Sequence, residues 1–279
     1  MSKVPYLAPN FITVGAMACG LGAMLLAHRG DYVAAAWLLL FSTFLDRADG
    51  FVARRLRATS SFGVQMDSFA DFFNFGVVPP FLVLTALSST PGLPFGSGSG
   101  LAWVLLASGL WLAAAAVRLA RFNVLSDAEI TDKTIFHGVP TTLAAGLLVD
   151  WFLVCLKYGG PDNPLAAPDR FAEGRLFGDL QLGPEVWGAF PWAMIVGALL
   201  MVSNLRNKKF GALRYRWANL VVAALSLVAF AFLVMRVYPE FMVLLPSTWL
   251  AVWLVWGQIG PGYRGKPRPP LFPVGDENE

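Results

Sequence analysis

The sequence contains few cysteines and few charged residues. Only 2 of its 279 residues are cysteines, and both lie in apolar runs, so neither a disulfide framework nor a zinc site is expected. Charged residues make up 14% of the chain and hydrophobic residues 56%, a composition too apolar for a soluble domain. The net charge of +3 requires no nucleic-acid partner, and no internal repeat is apparent. These properties indicate a polytopic membrane protein.

Apolar runs separated by polar or Gly/Pro-rich breaks predict the membrane-spanning helices. Each run is close to the roughly 20 residues that a helix needs to cross a bilayer. The first run lacks a basic leader and a small-residue cleavage site, so we expect it to be a retained span. The predicted fold is therefore an all-α transmembrane bundle of about eight spans, at about residues 8–27, 31–56, 62–88, 101–122, 139–157, 185–204, 217–236 and 241–258.

Lysine and arginine residues predict on which side of the membrane each loop lies, because cytoplasmic loops carry an excess of them. With the amino terminus inside, most of the 21 Lys and Arg residues fall on that side, many of them between residues 47 and 57 and between 206 and 216. We therefore predict that both termini are cytoplasmic, in a bacterial-type inner membrane. The basic side also suits contact with anionic lipid headgroups.

Four aspartates occur in one short segment, at Asp46, Asp49, Asp67 and Asp71. An ionised Asp at bilayer depth costs about 2.5 kcal/mol or more, so such a residue normally faces a partner or a wet cavity and marks a function. In helices, residues three or four apart share one face, so each pair of aspartates shares a face. Two such faces turned toward each other would form an all-oxygen pocket that only hard divalent cations stabilise. We predict a two-metal site that holds Mg²⁺ or Mn²⁺ and opens to the cytoplasm.

Small residues and one arginine accompany the aspartates. Gly50, Ala53 and Gly63 leave room for a ligand to approach the backbone closely. Arg54 carries a fork of donors suited to phosphate. Together with metals, these residues indicate a diphosphate site; taken singly, the small residues are equally typical of close helix packing in membranes.

The segment from Asp46 to Asp71 resembles the signature D-x-x-D-G-x-x-A-R-x8-G-x-x-x-D-x-x-x-D of the CDP-alcohol phosphotransferase family, and it matches without a gap. Members of this family are integral membrane enzymes that move a phosphatidyl group from a CDP-lipid onto an alcohol. The resemblance implies that the four aspartates hold two divalent ions that bind the diphosphate, and that Asp71 is the catalytic base. It also implies a homodimer, and it places the catalytic membrane domain at residues 1–210, before a C-terminal hairpin (211–258) and a cytoplasmic polar tail (259–279).

Further stretches resemble the phosphatidylserine synthase subfamily, notably the segment from Asp67 to Pro80 and the segment from Val117 to Asn123. The resemblance implies transfer from CDP-diacylglycerol to the hydroxyl of L-serine, giving phosphatidylserine and CMP. Asn74 departs from the subfamily pattern, which usually has Ser there, so choline, inositol or glycerol phosphate stay open as acceptors. A cation-coupled transporter is a further alternative, since intramembrane acids also mark ion paths. That reading predicts acids in both halves of a repeated structure, whereas these cluster in one unrepeated hairpin.

Several polar residues outside the signature are candidates for substrate binding. Asn10 and Thr13 open the first helix and are expected to reach the nucleotide, although plain helix capping explains them equally well. Arg118 and Arg121 lie three apart on one helix and suit the serine carboxylate or a phosphate, or else anchor the helix end by snorkelling. Lys209 is a candidate for phosphate binding in a basic loop that solvation alone also explains.

Asp150 lies within the fifth span, about ten residues from its cytoplasmic edge, which is about 15 Å at helical rise. An acid inside the membrane is a functional candidate by default. No role is assigned to Asp150 from the sequence.

Overall fold

The computed structural model describes residues 4–56, 60–127, 135–167, 171, 174–208, 213, 215–260 and 268–271. Within these ranges the chain is 77% helical and has only two short strands, so the predicted all-α class is confirmed. The helices and strands are α1 (Val4–His28), α2 (Tyr32–Arg55), α3 (Ser61–Asp71), a π-helical segment (Phe72–Val77), α4 (Val78–Ser89), α5 (Gly98–Asp127), β1 (Ile135–His137), α6 (Thr141–Lys157), a 3₁₀ turn (Pro184–Gly188), α7 (Ala189–Val202), β2 (Arg206–Lys208), α8 (Arg216–Met235) and α9 (Pro239–Ile259).

All eight predicted helical segments are present, since α3, the π-helical segment and α4 form one continuous helix over Ser61–Ser89. Six segments in the described part of the chain are long and apolar enough to cross a membrane. Of the other two, α2 carries the charged residues of the aspartate motif in its last third, and α6 has 17 residues. The chain is therefore an integral membrane protein.

Short polar caps fix the hairpin that carries the aspartates. The Asp31 side chain accepts a hydrogen bond from Ala34 N at 3.0 Å and starts α2, and Ser60 Oγ accepts from Gly63 N at 3.0 Å and starts α3. Both bonds satisfy amide groups that a helix start leaves without an intrahelical partner. As a result, α2 ends and α3 begins with the two aspartate pairs near the same end of the bundle.

A π-helical segment follows Asp71 directly and was not predicted. Its widened turn leaves the backbone carbonyl of Phe75 to accept a hydrogen bond from Trp111 Nε1 of α5 at 3.0 Å. The indole of Trp111 in turn packs against Gly197 of α7, where a Cβ atom would lie 2.5 Å from the ring. One buried tryptophan thus links the helix of the second aspartate pair to two neighbouring helices.

The two short strands were also not predicted, because three residues give no readable alternation. β1 pairs with β2 in antiparallel fashion, with Phe136 opposite Asn207. Gly138, which follows β1, has a φ of +78°, and a Cβ atom there would lie 2.5 Å from Met201 O. Since L residues rarely adopt this conformation, glycine is required at this turn, which holds the start of α6 against the end of α7.

A buried ion pair fixes the hairpin of α8 and α9 at the other end of the bundle. Lys157 Nζ lies 2.9 Å from Glu240 Oε1, and the two side chains are 2% and 0% exposed. Tyr158 donates to the same carboxylate at 2.6 Å, and burial together with this bond raises the pKa of Tyr158 to about 12. The phenol therefore stays protonated and keeps donating to Glu240 at physiological pH.

Candidate active site

A cavity of about 170 Å³ lies between the first turns of α1, the end of α2 and the start of α3. Every residue predicted to contact the CDP-lipid lines it. The lining includes Asn10, Thr13, Asp49, Gly50, Ala53, Arg54 and Gly63, together with Asp67. Pro9, Ser60 and Val64 also line the cavity and were not predicted. Each lies one helical turn before a predicted residue, and this spacing was the only sequence signal that could have identified them.

Helix α1 contributes a polar contact to the aspartate motif. Thr13 Oγ1 donates to Asp49 Oδ2 at 2.6 Å, and the Pro9 carbonyl is a second acceptor at 3.0 Å. Both Thr13 and Asp49 are buried. Since a hydroxyl carries a single proton, its bond to a carboxylate is the stronger of the two. Thr13 thus holds one oxygen of Asp49 in place at the cavity wall.

Two glycines clear the cavity floor and mouth. A Cβ atom at Gly50 would lie 3.3 Å from Arg54 Nη1, so the guanidinium lies across the glycine. A Cβ atom at Gly63 would lie 3.2 Å from Ser60 Oγ and 3.5 Å from Asn10 Oδ1. Any side chain at these positions would displace the polar groups that face the cavity.

The four aspartates lie near enough to one another to interact electrostatically. The carboxyl groups of Asp46 and Asp71 lie within hydrogen-bonding distance of each other, and Asp67 is close enough to Asp46 and Asp49 to repel both. Asp71 Oδ1 is buried and has no hydrogen-bond partner among the described residues. Carboxylates this close are stable only with a proton or a cation between them.

In the described part of the chain, no three His, Cys, Asp or Glu side chains lie close enough together to hold one metal ion. The aspartates approach in pairs, and the contact of Asp46 with Asp71 brings two carboxylates together at the centre of the group. The donors are all carboxylate oxygens, and one of them is buried without a partner. This donor chemistry fits hard divalent cations such as Mg²⁺ or Mn²⁺.

The two candidate arginines of α5 lie in different surroundings. Arg118 is attracted electrostatically to Asp71, and its guanidinium carbon lies 5.2 Å from the centre of the Phe122 ring. Arg121 donates instead to the backbone carbonyls of Pro269 and Pro270, at 3.2 and 3.0 Å, and to Asn204 Oδ1. Arg118 therefore adjoins the aspartates, whereas Arg121 binds the C-terminal segment. Lys209 lies outside the described residues.

Comparisons with known proteins identify one matching family and several similar enzymes. A family model described as CDP-alcohol phosphatidyltransferase matches residues 6–167, a range that contains all four aspartates. Over 225 residues, the chain is 32% identical to a CDP-diacylglycerol–serine O-phosphatidyltransferase of Helicobacter pylori, and this match covers 80% of this chain and 81% of the relative. An enzyme of the same name from Bacillus subtilis is 35% identical, over 50% of this chain and 72% of its own length. Another, from Mycobacterium leprae, is 34% identical, over 54% of this chain and 48% of its own length.

Proposed function

The chain belongs to the CDP-alcohol phosphatidyltransferase family, and we propose that it transfers the phosphatidyl group of CDP-diacylglycerol to the hydroxyl of L-serine, giving phosphatidylserine and CMP. The observation that carries the proposal is one cavity lined by all seven candidate CDP-lipid residues, Asp49 among them, and by Asp67 of the second aspartate pair. The names of the relatives supply serine as the acceptor.

The nucleotide and its diphosphate fit the mouth of this cavity. The exposed guanidinium of Arg54 offers paired donors to a phosphate, and Gly50 and Gly63 let the diphosphate approach the helix backbones. Asn10 is placed at the rim for the nucleotide, and Thr13 acts through Asp49. With the predicted orientation, this mouth opens to the cytoplasm, where a nucleotide product is released.

Asp46, Asp49, Asp67 and Asp71 are the residues that would hold two Mg²⁺ or Mn²⁺ ions. When bound, the ions neutralise the charge of the diphosphate and of the departing CMP. The aspartates orient the diphosphate so that the phosphorus on the lipid side faces the acceptor.

Asp71 is the proposed base. It accepts the proton of the serine hydroxyl as the serine oxygen forms a bond to the lipid-side phosphorus, and the bond from that phosphorus to the CMP oxygen breaks, so the electron pair leaves with CMP. Arg118, which is attracted to Asp71, is placed to bind the serine carboxylate beside the base. Arg121 and Lys209 are the weaker acceptor candidates.

The same chemistry with another acceptor is the second candidate function, because Asn74 is buried at the π-helical segment where the serine-specific pattern usually has Ser. Purified protein with CDP-diacylglycerol, offered serine, choline, inositol and glycerol phosphate separately, decides between them. Release of CMP that depends on serine alone is expected. Release of CMP that depends on another alcohol would reassign the acceptor. If none of the four alcohols supports release of CMP, the proposal is overturned.

We further propose that residues 1–210 form the catalytic domain, followed by the hairpin at 211–258 and a cytoplasmic tail at 259–279, and that two copies associate as a homodimer. The support is the family match, which ends at residue 167, and the C-terminal hairpin, few of whose described residues are buried in the single chain. Cross-linking of the protein in native membranes measures the dimer directly; exclusively monomeric protein would contradict it.

A further inference from the structure

A second cavity, of about 220 Å³, lies between α2 and α6 on one side and the hairpin of α8 and α9 on the other. It lies against the face of α2 formed by Leu40, Thr43, Phe44 and Arg47, whereas Asp46 and Asp49 occupy another face of the helix. No residue lines both this cavity and the candidate active site. It is therefore a separate space in the molecule.

The cavity wall contains a buried acid without a partner. Asp150 of α6 lines the cavity and is only 5% exposed, and its Oδ1 atom has no hydrogen-bond partner among the described residues. A buried oxygen without a donor costs about 1–3 kcal/mol. Since that cost is removed by a ligand that donates a hydrogen bond, Asp150 indicates a ligand with N–H or O–H groups.

A cation lines the same cavity. Arg47 is exposed at its edge and makes no ion pair with any described residue, although its charge also acts on Asp46. The cavity thus has a guanidinium at its edge and a buried carboxyl in its wall, and the two form no ion pair with each other. This arrangement is complementary to a ligand that carries both an oxyanion and an ammonium.

The remaining walls favour a lipid over a small soluble molecule. They are mostly apolar, and include Leu143, Leu147, Phe230, Leu233 and Leu245. Ser226, at the middle of α8, lines the cavity and is exposed, and because α8 is long and apolar enough to cross a membrane, we expect this side of the cavity to lie at membrane depth. A cavity of 150 Å³ suffices for benzene, so this one has room for part of an acyl chain or headgroup.

We propose that this cavity binds a phospholipid with a primary amine in its headgroup. The phosphate contacts Arg47, the ammonium donates to Asp150, and an acyl chain lies along the apolar wall. A free amino acid carries the same two charges but leaves the apolar wall uncovered. No residue that lines this cavity is a proposed metal ligand, base or substrate contact of the reaction, although the charge of Arg47 acts on its neighbour Asp46.

Native mass spectrometry tests the site. The intact protein is mixed in detergent with equal amounts of phosphatidylethanolamine, phosphatidylcholine and phosphatidylglycerol, and the lipids that stay bound after release from the detergent are measured. Phosphatidylethanolamine is expected to be retained about tenfold more than the other two, which corresponds to about 1.4 kcal/mol, because only its headgroup carries N–H donors. Equal retention of the three lipids overturns the proposal. Displacement of the amine lipid by millimolar free serine likewise overturns the choice of a lipid.

Variants locate the binding. Asp150→Asn is expected to abolish the preference for the amine lipid, whereas Asp179→Asn, at an exposed acid, keeps it. Gly146→Leu provides an independent test that leaves Asp150 intact, because a Cβ atom at Gly146 meets nothing within 4 Å and the side chain enters the cavity. Retention of the amine lipid by folded Gly146→Leu protein, judged by its unfolding midpoint, places the lipid elsewhere and overturns the proposal.

Discussion

Thr13 and Asp49, 36 residues apart, are joined by a buried hydrogen bond of 2.6 Å. This bond connects the first helix to the aspartate motif and sets the orientation of one carboxylate at the cavity wall. The role it gives Thr13 differs from the predicted contact with the nucleotide, because the hydroxyl proton is directed to Asp49.

Replacing Thr13 tests the orientation of Asp49. Hydrogen bonds to charged groups contribute about 1.5–3 kcal/mol, so Thr13→Val should weaken CDP-diacylglycerol binding by about tenfold or more. Thr13→Ser, which keeps the hydroxyl, is the matched control and should bind close to the wild-type level. Equal binding by the Val and Ser variants, measured by titration with the CDP-lipid, would contradict the orienting role.

Removal of metal or of a metal ligand should abolish turnover. We expect no release of CMP in excess chelator, recovery on addition of Mg²⁺ or Mn²⁺, and a loss of at least about a hundredfold in Asp46→Asn, Asp49→Asn or Asp67→Asn. Asp179→Asn, an exposed acid far from the motif in sequence, should retain activity. Full turnover in chelator would show that the aspartates act without metal.

Substitution of Asp71 separates the base from the ligands. General-base catalysis typically contributes about 10²–10⁴-fold, so Asp71→Asn should lose turnover by that factor while it still binds CDP-diacylglycerol at saturating Mg²⁺ or Mn²⁺. Asp46→Asn, its partner in the carboxyl contact, should lose both. If the two variants lose lipid binding equally, Asp71 is mainly a ligand and not the base.

The two arginines of α5 should behave differently. Arg118→Ala is expected to raise the KM for serine by about tenfold, because a lost charge-assisted contact is worth on the order of 1.5–3 kcal/mol, with little change in the KM for CDP-diacylglycerol. Arg121→Ala should lower the unfolding midpoint instead, since its partners are Asn204 and the carbonyls of Pro269 and Pro270. An unchanged serine KM in Arg118→Ala would make that residue a helix anchor.

The ion pair of Lys157 and Glu240 predicts a large effect on stability. Removing one partner of a buried pair costs about 3–5 kcal/mol, so Lys157→Met should unfold at a clearly lower temperature in detergent. Addition of Glu240→Gln to that variant should recover part of the loss, because no uncompensated charge then remains. Strictly additive losses in the two single variants and the double variant would contradict a coupled pair.

The helices were predictable because each depends on a local property, the length of an apolar run. The approach of the two aspartate pairs was predictable for a related reason, since the regular spacing of Asp46, Asp49, Asp67 and Asp71 defines helix faces before any packing is known. Contacts between distant segments were not. Nothing local in the sequence indicates that Gly20 faces Asn74, although a Cβ atom at Gly20 would lie 2.1 Å from Asn74 Oδ1.

The arginines show the same limit. Arg118 and Arg121 lie three residues apart on one helix, and no local pattern distinguishes their roles. Only packing decides that Arg118 adjoins Asp71 while Arg121 meets the C-terminal segment. The role of Asp150 was unreadable for a related reason, because the cavity it lines is closed by α8 and α9, whose sequences carry no recognisable motif.

The π-helical segment Phe72–Val77 rotates α3, which precedes it, about the helix axis relative to α4, which follows it. Each residue of an α-helix turns the chain by about 100°, and a π-turn accommodates one extra residue. Asp67 and Asp71 are therefore rotated by about that angle relative to where an uninterrupted α-helix, extended back from Val78–Ser89, would place them. Deleting one residue of the segment would leave every catalytic side chain in the protein, yet turn the second aspartate pair away from the first.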